Sequence, residues 1–493
     1  MHASLHDIKS GYKGLKHQVK AFIKAGDYAS AMTYINHCTT IASQFNWIYS
    51  DEELEDALET ISESVIDRSI SVGFQPDQDN WVFFDDYCTS YVLALQWMTA
   101  LSKTGKSILY ITSQFSFEKR RDISILPDIE KMPNVTVAVI QDGSLFERAN
   151  TLFQSIIRFK ASKVILHKAM YSLIQLPLCA LPEETKVYNI NLGDQFFWLG
   201  TRHIDYNIEF RPFGASVSLQ RRGFKKEQLL MVPFYPANEN RPFEGFPSEC
   251  KGKLVIFSGG DYYKTWDEGG TYWRLVKNIL DKHDNVCFLF AIKRLPISTE
   301  RVERFIKENH FEGRFIQIGR RQDIFQVFAH CDIYMGTCPI SGSLMSQLAA
   351  INGKPILQYY TPGTPDDETE QALCFNDKFQ ISFSSEEKLL DEADRLIDDA
   401  DYRIKQGERL RKAMMQPEQF YESAVASLMT DISQMEVETN QVDYRLLEKR
   451  WCALERMGFT NVFSYMYSLL GKKNRIRFTP GLFIKNAIGR FCR

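Results

Sequence analysis

The sequence has no cysteine pair at C-x-x-C spacing and no histidine at ligand spacing from a cysteine. Its ten cysteines are scattered singly, from Cys38 to Cys492. This argues against a disulfide frame or a zinc site and fits reduced, mostly buried thiols. No apolar run approaches the roughly 18 residues of a membrane span, and the N-terminus MHASLHDIKSGYKGLKHQ lacks a signal-peptide core. A cytoplasmic protein is expected. Basic residues are not in excess, with 59 Lys and Arg against 62 Asp and Glu and a net charge of -3. A global nucleic-acid-binding surface is therefore excluded, and any anion site must be local.

The chain is 493 residues long, 44% hydrophobic and 25% charged, which suits a folded protein of two large domains with appendages. Residues 1–75 form a helical segment, in which AGDYASAMTYI looks like one helical-hairpin repeat with no second copy. From residue 76 to 240, short apolar runs alternate with amphipathic segments: NWVFFDDY, KSILYIT, NVTVAVIQ, SKVILHKAM and TKVYNINLG. The Pro- and Asn-rich stretch VPFYPANENRPFEGFPSECKGK reads as a linker. The rhythm then resumes from 241 to 436 with KLVIFSGG, NVCFLFAI, RFIQIG, CDIYMGT, PILQYY and KFQISF. Strands alternating with helices predict an α/β chain of two tandem Rossmann-like, doubly wound domains, with a cleft at the carboxyl ends of their strands. Residues 437–493 form a helical, basic tail.

Two turns carry the chemistry. In KLVIFSGGDYYKTWD, Gly259 and Gly260 allow close approach of a ligand at a strand end, and Lys264 supplies a point charge suited to phosphate. In CPISGSLMSQLAAINGKP, Ser341, Gly342 and Ser343 open a helix whose first turn can hold an anion, although Ser341 could equally be an ordinary N-cap. Two anion-suited turns in one domain point to a nucleotide diphosphate. Arg320, in GRRQDI, is a weaker candidate for the same ligand. The acidic loop TPGTPDDETEQ could hold sugar hydroxyls through Asp366, Asp367 or Glu368.

These segments resemble the O-linked N-acetylglucosamine transferase family and its bacterial N-glucosyltransferase relatives. Pro339, Gly342, Ala349, Gly353 and Pro355 fall in register with that family's nucleotide-sugar segment, and Lys264 falls at its phosphate-binding lysine. Trp198, Leu199, Gly200, Asp205 and Tyr206 match its Trp-Leu-Gly and Asp-Tyr-Ile block. The resemblance implies a GT-B fold, a nucleotide-diphospho-sugar donor, with uridine expected, and no obligatory metal or other cofactor. The acceptor would be a protein or a glycan. Ser341-Gly342-Ser343 replaces the family's Asn-Gly-Gly, and Gln347-Leu348 stands where it has Cys-Asp. No Asp or Glu occurs between Asp332 and Asp366, so the paired glutamates of the large retaining GT-B family are missing.

An inverting transfer needs a base to take the acceptor's proton. Asp194 is placed first, with Asp86 and His167 behind it and Asp85 beside Asp86. Each has a duller alternative: a turn for Asp194, a helix cap for Asp86 and an internal hydrogen bond for His167. Two other functions fit the fold, a non-catalytic scaffold partnered with a second glycosyltransferase subunit, and a nucleotide-sugar epimerase. The tail ends KKNRIRFTPGLFIKNAIGRFCR, with seven Lys or Arg and no acid. It suits either peripheral contact with the inner face of a membrane or packing against the first domain.

Overall fold

A computed structural model describes residues 5–86, 91–113, 125–168, 170, 173–236, 241–292, 296–455 and 465–481. Cys88, Cys492 and the end of the basic tail from residue 482 lie outside the described residues.

Three helices, Leu5–Lys24, Tyr28–Phe45 and Glu52–Val65, come first. Asp27 caps the second by accepting from Ser30 N at 3.1 Å, and Asp51 caps the third. Their apolar faces share one core with Val82, Phe84, Leu109 and Ile111 of the first sheet. The helical segment is thus a lid on one face of that sheet.

The first sheet holds β1 (Asp77–Asp85), β2 (Ser107–Ser113), β3 (Val135–Ile140), β4 (Ala161–His167), β5 (Lys186–Ile190), β6 (Tyr206–Glu209) and β7 (Leu229–Met231). All are parallel, in the order β3-β2-β1-β4-β5-β6-β7. The second sheet holds β8 (Leu254–Gly259), β9 (Val286–Ala291), β10 (Phe315–Gln317), β11 (Ile333–Met335), β12 (Ile356–Tyr359) and β13 (Ser382–Phe383), in the order β10-β9-β8-β11-β12-β13. Both faces of each sheet are covered, which is why the strands read as continuous apolar runs. In β1, Val82 and Phe84 enter one core while Trp81 and Phe83 enter the other. In each sheet the strand order reverses beside the first strand, between β1 and β4 and between β8 and β11, and ligands of such sheets bind at these reversals.

After β13 come the helices Glu386–Asp398 and Ala400–Ala413, and then Pro417–Thr430 returns to the first domain. Phe420 meets Trp97 edge-on at 5.2 Å, and Asp431 pairs with Lys163 at 2.5 Å. Helix Tyr444–Glu455 then enters the space between the domains. Helix Lys472–Phe478 packs on Leu5–Lys24, so the described part of the tail lies against the N-terminal segment. Gly11 and Gly14 make that contact possible: a Cβ on either would lie 2.3 Å from Met466 or 2.7 Å from Leu470. Among the described residues no helix is long and apolar enough to cross a membrane.

Candidate donor and acceptor sites at the two strand reversals

At the second reversal, β8 ends in Gly259 and Gly260. A Cβ at Gly259 would stand 3.0 Å from the Ala291 carbonyl oxygen, and Gly260 has φ 149°. The backbone at Gly260 favours glycine, and at Gly259 a Cβ would press on the Ala291 carbonyl. A Cβ at Gly260 would lie 3.6 Å from Lys264 Cδ and 3.6 Å from Thr337 Cγ2, so the lysine stem runs through the crevice between β8 and β11. Ile340 N donates to the Lys264 carbonyl at 3.4 Å, and Thr337 Oγ1 donates to the Ile340 carbonyl at 2.6 Å. The two turns singled out in the sequence are therefore fastened to each other. Burial pushes the Lys264 ammonium below its ordinary pKa, while Asp261 and Glu368 act against the shift.

Helix Ser343–Ile351 starts at this crevice. Its N-cap is Gly342 rather than Ser341, and no side chain caps it. Among the described residues its first-turn N–H groups thus have no side-chain acceptor, as an anion-binding helix start requires. Gln347, where the resembling family carries Cys-Asp, is 1% exposed and donates to the carbonyls of Phe234 and Ala372 at 3.4 Å each. It ties the helix to both domains. Arg320 is exposed beyond edge strand β10, with β9 between that strand and β8. Its neighbour Arg321 pairs with Asp323 at 2.6 Å and donates to the Gly245 carbonyl, fixing the linker.

At the first reversal, Asp85 and His167 stand opposite each other in the β1–β4 register, both fully buried. Asp85 Oδ1 is 2.8 Å from His167 Nδ1, and Tyr110 donates to Asp85 Oδ2 at 2.5 Å. A carboxylate at Nδ1 holds the ring proton there and makes Nε2 the basic nitrogen. Asp86 turns the other way. It accepts from Ser113 Oγ at 3.2 Å and from Leu173 N at 3.4 Å, so it tethers the ends of β1 and β2 to the segment after β4.

Asp194, after β5, is 3% exposed and pairs with Arg211 Nε at 2.6 Å. Arg211 Nη1 reaches across the domains to Glu368 Oε1 at 3.0 Å. Burial opposes the Arg211 charge, but the two carboxylates outweigh it and raise its pKa. Burial likewise works against the charged Glu368, yet Arg211 and Arg450 hold its carboxyl below the usual range. Asp194 is thus an anchor of the domain interface, and of the acidic loop it is Glu368 that turns inward.

The Trp198-Leu199-Gly200 block serves a different contact. Gly200 N and Thr201 N donate to buried Glu55 at 2.9 and 3.2 Å, and Arg202 pairs with Asp56 at 2.7 Å. These bonds clamp the N-terminal helices to the first domain. Lys168 lies over the Trp198 ring at 4.5 Å, and burial pushes its pKa down to about 8 although Glu55 opposes this.

Close by, fully buried Glu209 accepts from Asn207 Nδ2 at 2.6 Å, from Asn191 Nδ2 at 3.0 Å and from Ser218. Burial raises its pKa to about 7 from 4.5, against the pull of Arg222. An acid that holds its proton more tightly when folded lends stability that is complete below the unfolded value and is lost as pH rises through the folded one. At 1.36 kcal/mol per pH unit the span is on the order of 3 kcal/mol. The Tm advantage of wild type over Glu209→Gln should therefore shrink between pH 5 and pH 8; a constant difference would contradict the assignment.

Two cavities lie beside the acidic loop that carries Asp366. The smaller, about 10 Å³, is lined by Pro339, Ser341, Gln358, Tyr360, Glu368 and Arg450 among others. The larger, about 720 Å³, shares Tyr360, Asp366 and Ser382 with it and extends to Met231 of β7 and Asn440 of the crossover. Sequence reasoning did not find Arg211, Tyr110 or Arg450. An Arg directly after the strand YNIEF was the one available signal for the first of these.

No protein-family model matches the chain, and no curated protein matches it in sequence. Its fold is nonetheless GT-B. The structure of Anabaena HepE in complex with UDP covers 71% of this chain and 100% of its own, at 12% identity and a TM-score of 0.51. A Listeria monocytogenes protein described as a UDP-N-acetylglucosamine 2-epimerase covers 74% and 100%, at 10% identity and a TM-score of 0.50. The O-GlcNAc transferase of Thermobaculum terrenum aligns over 93% of this chain and 85% of its own, at 12% identity and a TM-score of 0.48.

Proposed function

We propose that the chain is a glycosyltransferase that binds a nucleoside-diphospho-sugar on its second sheet and transfers the sugar to a protein or glycan acceptor in the cleft. The observation that carries this reading is the crevice between β8 and β11. There Gly260, Lys264 and the uncapped start of helix Ser343–Ile351 converge, and the turns that bear them are hydrogen-bonded to each other. Amide N–H groups and a buried ammonium together suit a diphosphate. Uridine is the expected base, since HepE of the same fold was solved with UDP and with UDP-glucose.

In the displacement, an acceptor hydroxyl or amide gives its proton to the base and its heavy atom attacks the anomeric carbon. The bond to the diphosphate breaks, and the electron pair leaves with the phosphate oxygen, where Lys264 and the helix start stabilise it. His167 suits the base best, because Asp85 fixes its ring while Asp194 is committed to Arg211.

Incubation with a panel of nucleotide sugars tests this reading. Thermal stabilisation and slow release of UDP with the sugar's configuration kept at all other carbons are expected. Release of UDP together with a C2 epimer would instead show the epimerase reaction that other proteins of this fold carry out, and no binding of any nucleotide would show a scaffold.

A further inference from the structure

Helix Tyr444–Glu455 belongs to neither sheet, yet one of its faces reaches the candidate donor site. Leu447 and Trp451, four residues apart and so on one face, are buried in a cluster with Ile340 of the donor turn, Phe213 and Val217 of the first domain and Tyr49 of the N-terminal segment. The helix also packs on the turn Tyr262–Thr265, which carries Lys264. Arg450 shares this face. Its Nη1 donates to Thr364 Oγ1 at 3.3 Å, and its fully covered Nε finds no acceptor among the described residues. The guanidinium lines the small cavity together with Ser341 and Glu368.

Asp366 and Glu368 line that cavity beside Arg450. Burial lowers the pKa of both Arg450 and Lys264; Glu368 opposes the shift at Arg450, and Asp261 and then Glu368 oppose it at Lys264. The covered Arg450 Nε stays without an acceptor among the described residues, and a buried donor left unpaired is costly until an acceptor joins it.

We propose that Arg450 is a second cationic contact for the donor's diphosphate beside Lys264, delivered by the C-terminal helix, so that the donor site is built from both ends of the second domain and the tail that follows it. This rests on the donor-site reading above. At about 10 Å³ the cavity has room for roughly one water, so the helix must move outward as the ligand enters, its guanidinium following the phosphates. Arg suits that role because its planar fork can hold two phosphate oxygens at once.

The test is calorimetric titration of the full chain with UDP and UMP, for wild type, Arg450→Lys, Arg450→Ala and Lys264→Ala, with unfolding of each ligand-free variant as a fold check. Arg450→Ala is expected to weaken UDP about tenfold or more and UMP by less, with Arg450→Lys in between. Should Arg450→Ala fail to fold, the Lys variant alone decides, a loss of about threefold for UDP supporting the contact. UDP binding within twofold of wild type in both Arg450 variants, while Lys264→Ala loses it, would overturn the proposal and leave the donor site standing. Tighter binding in Arg450→Ala would overturn it too, and would make the helix a plug. Absence of UDP binding by wild type would sink both ideas together.

Discussion

Lys264→Ala is expected to abolish stabilisation by UDP while leaving the ligand-free protein as stable as wild type or slightly more so. Among the described residues no carboxylate lies within ion-pairing distance of the Lys264 ammonium, and burial already depresses its pKa. Deleting such a charge removes a desolvation cost rather than a bond. The ammonium gains its value only when phosphates are beside it. At a UDP concentration one hundred times Kd, wild type should gain about 2.7 kcal/mol, seen as a rise of a few degrees in Tm, and the variant almost none. Donor-dependent turnover should fall by about a hundredfold or more, the scale of losing one preorganised contact to developing charge. Scanning calorimetry with and without UDP measures both halves. A variant that keeps the UDP-induced shift would remove Lys264 from the site.

The elements that could be read in the sequence are those whose signal is local. A parallel strand covered on both faces must be apolar throughout, so VFF, SILYIT, VILH and VIFSGG stood out. β6 and β7 were not picked out as strands, although they are no shorter than β10 and β11, which were. Turns were legible for the same reason, since the Gly259-Gly260 pair and the lysine after it sit within six residues of one another. The N-cap shows the limit of local reading. Ser341 has the better capping side chain, yet the chain starts the helix one residue later on Gly342, and no pattern in the sequence separates the two.

What was hidden depends on long-range pairing. The sequence places Asp194 first among the bases, but its partner Arg211 and the bridge to Glu368 require the two domains to be brought together. Arg450 is further still, 186 positions from Lys264 in the chain, and is brought near only because the crossover returns a helix to the cleft. Asp85 and Asp86 are adjacent and alike in sequence. Strand alternation sends one toward His167 and the other toward Ser113, and register alone decides which is which.

That register leads to the second large effect. His167→Ala is expected to lower kcat by 10² to about 10⁴, the usual contribution of a positioned base, with UDP affinity within twofold of wild type, because Lys264 and the helix start belong to the other sheet. Asp85→Asn should reproduce part of the loss for a distinct reason. An amide at that position can donate to Nδ1 and so hold the ring in the wrong tautomer, moving the proton to Nε2, where the base must accept one. A pH–rate profile separates the two roles: the limb that reports a free base should disappear in His167→Ala and persist at a lower plateau in Asp85→Asn. Asp194→Asn gives the contrast. It breaks the pair with Arg211 and leaves that buried guanidinium with Glu368 alone, so its main effect should be a lower Tm, on the order of 3 kcal/mol of stability, the cost of breaking a buried pair from one side. If kcat instead falls in Asp194→Asn at unchanged Tm while His167→Ala turns over normally, the base is Asp194, and the Asp85–His167 pair is only a strut between β1 and β4.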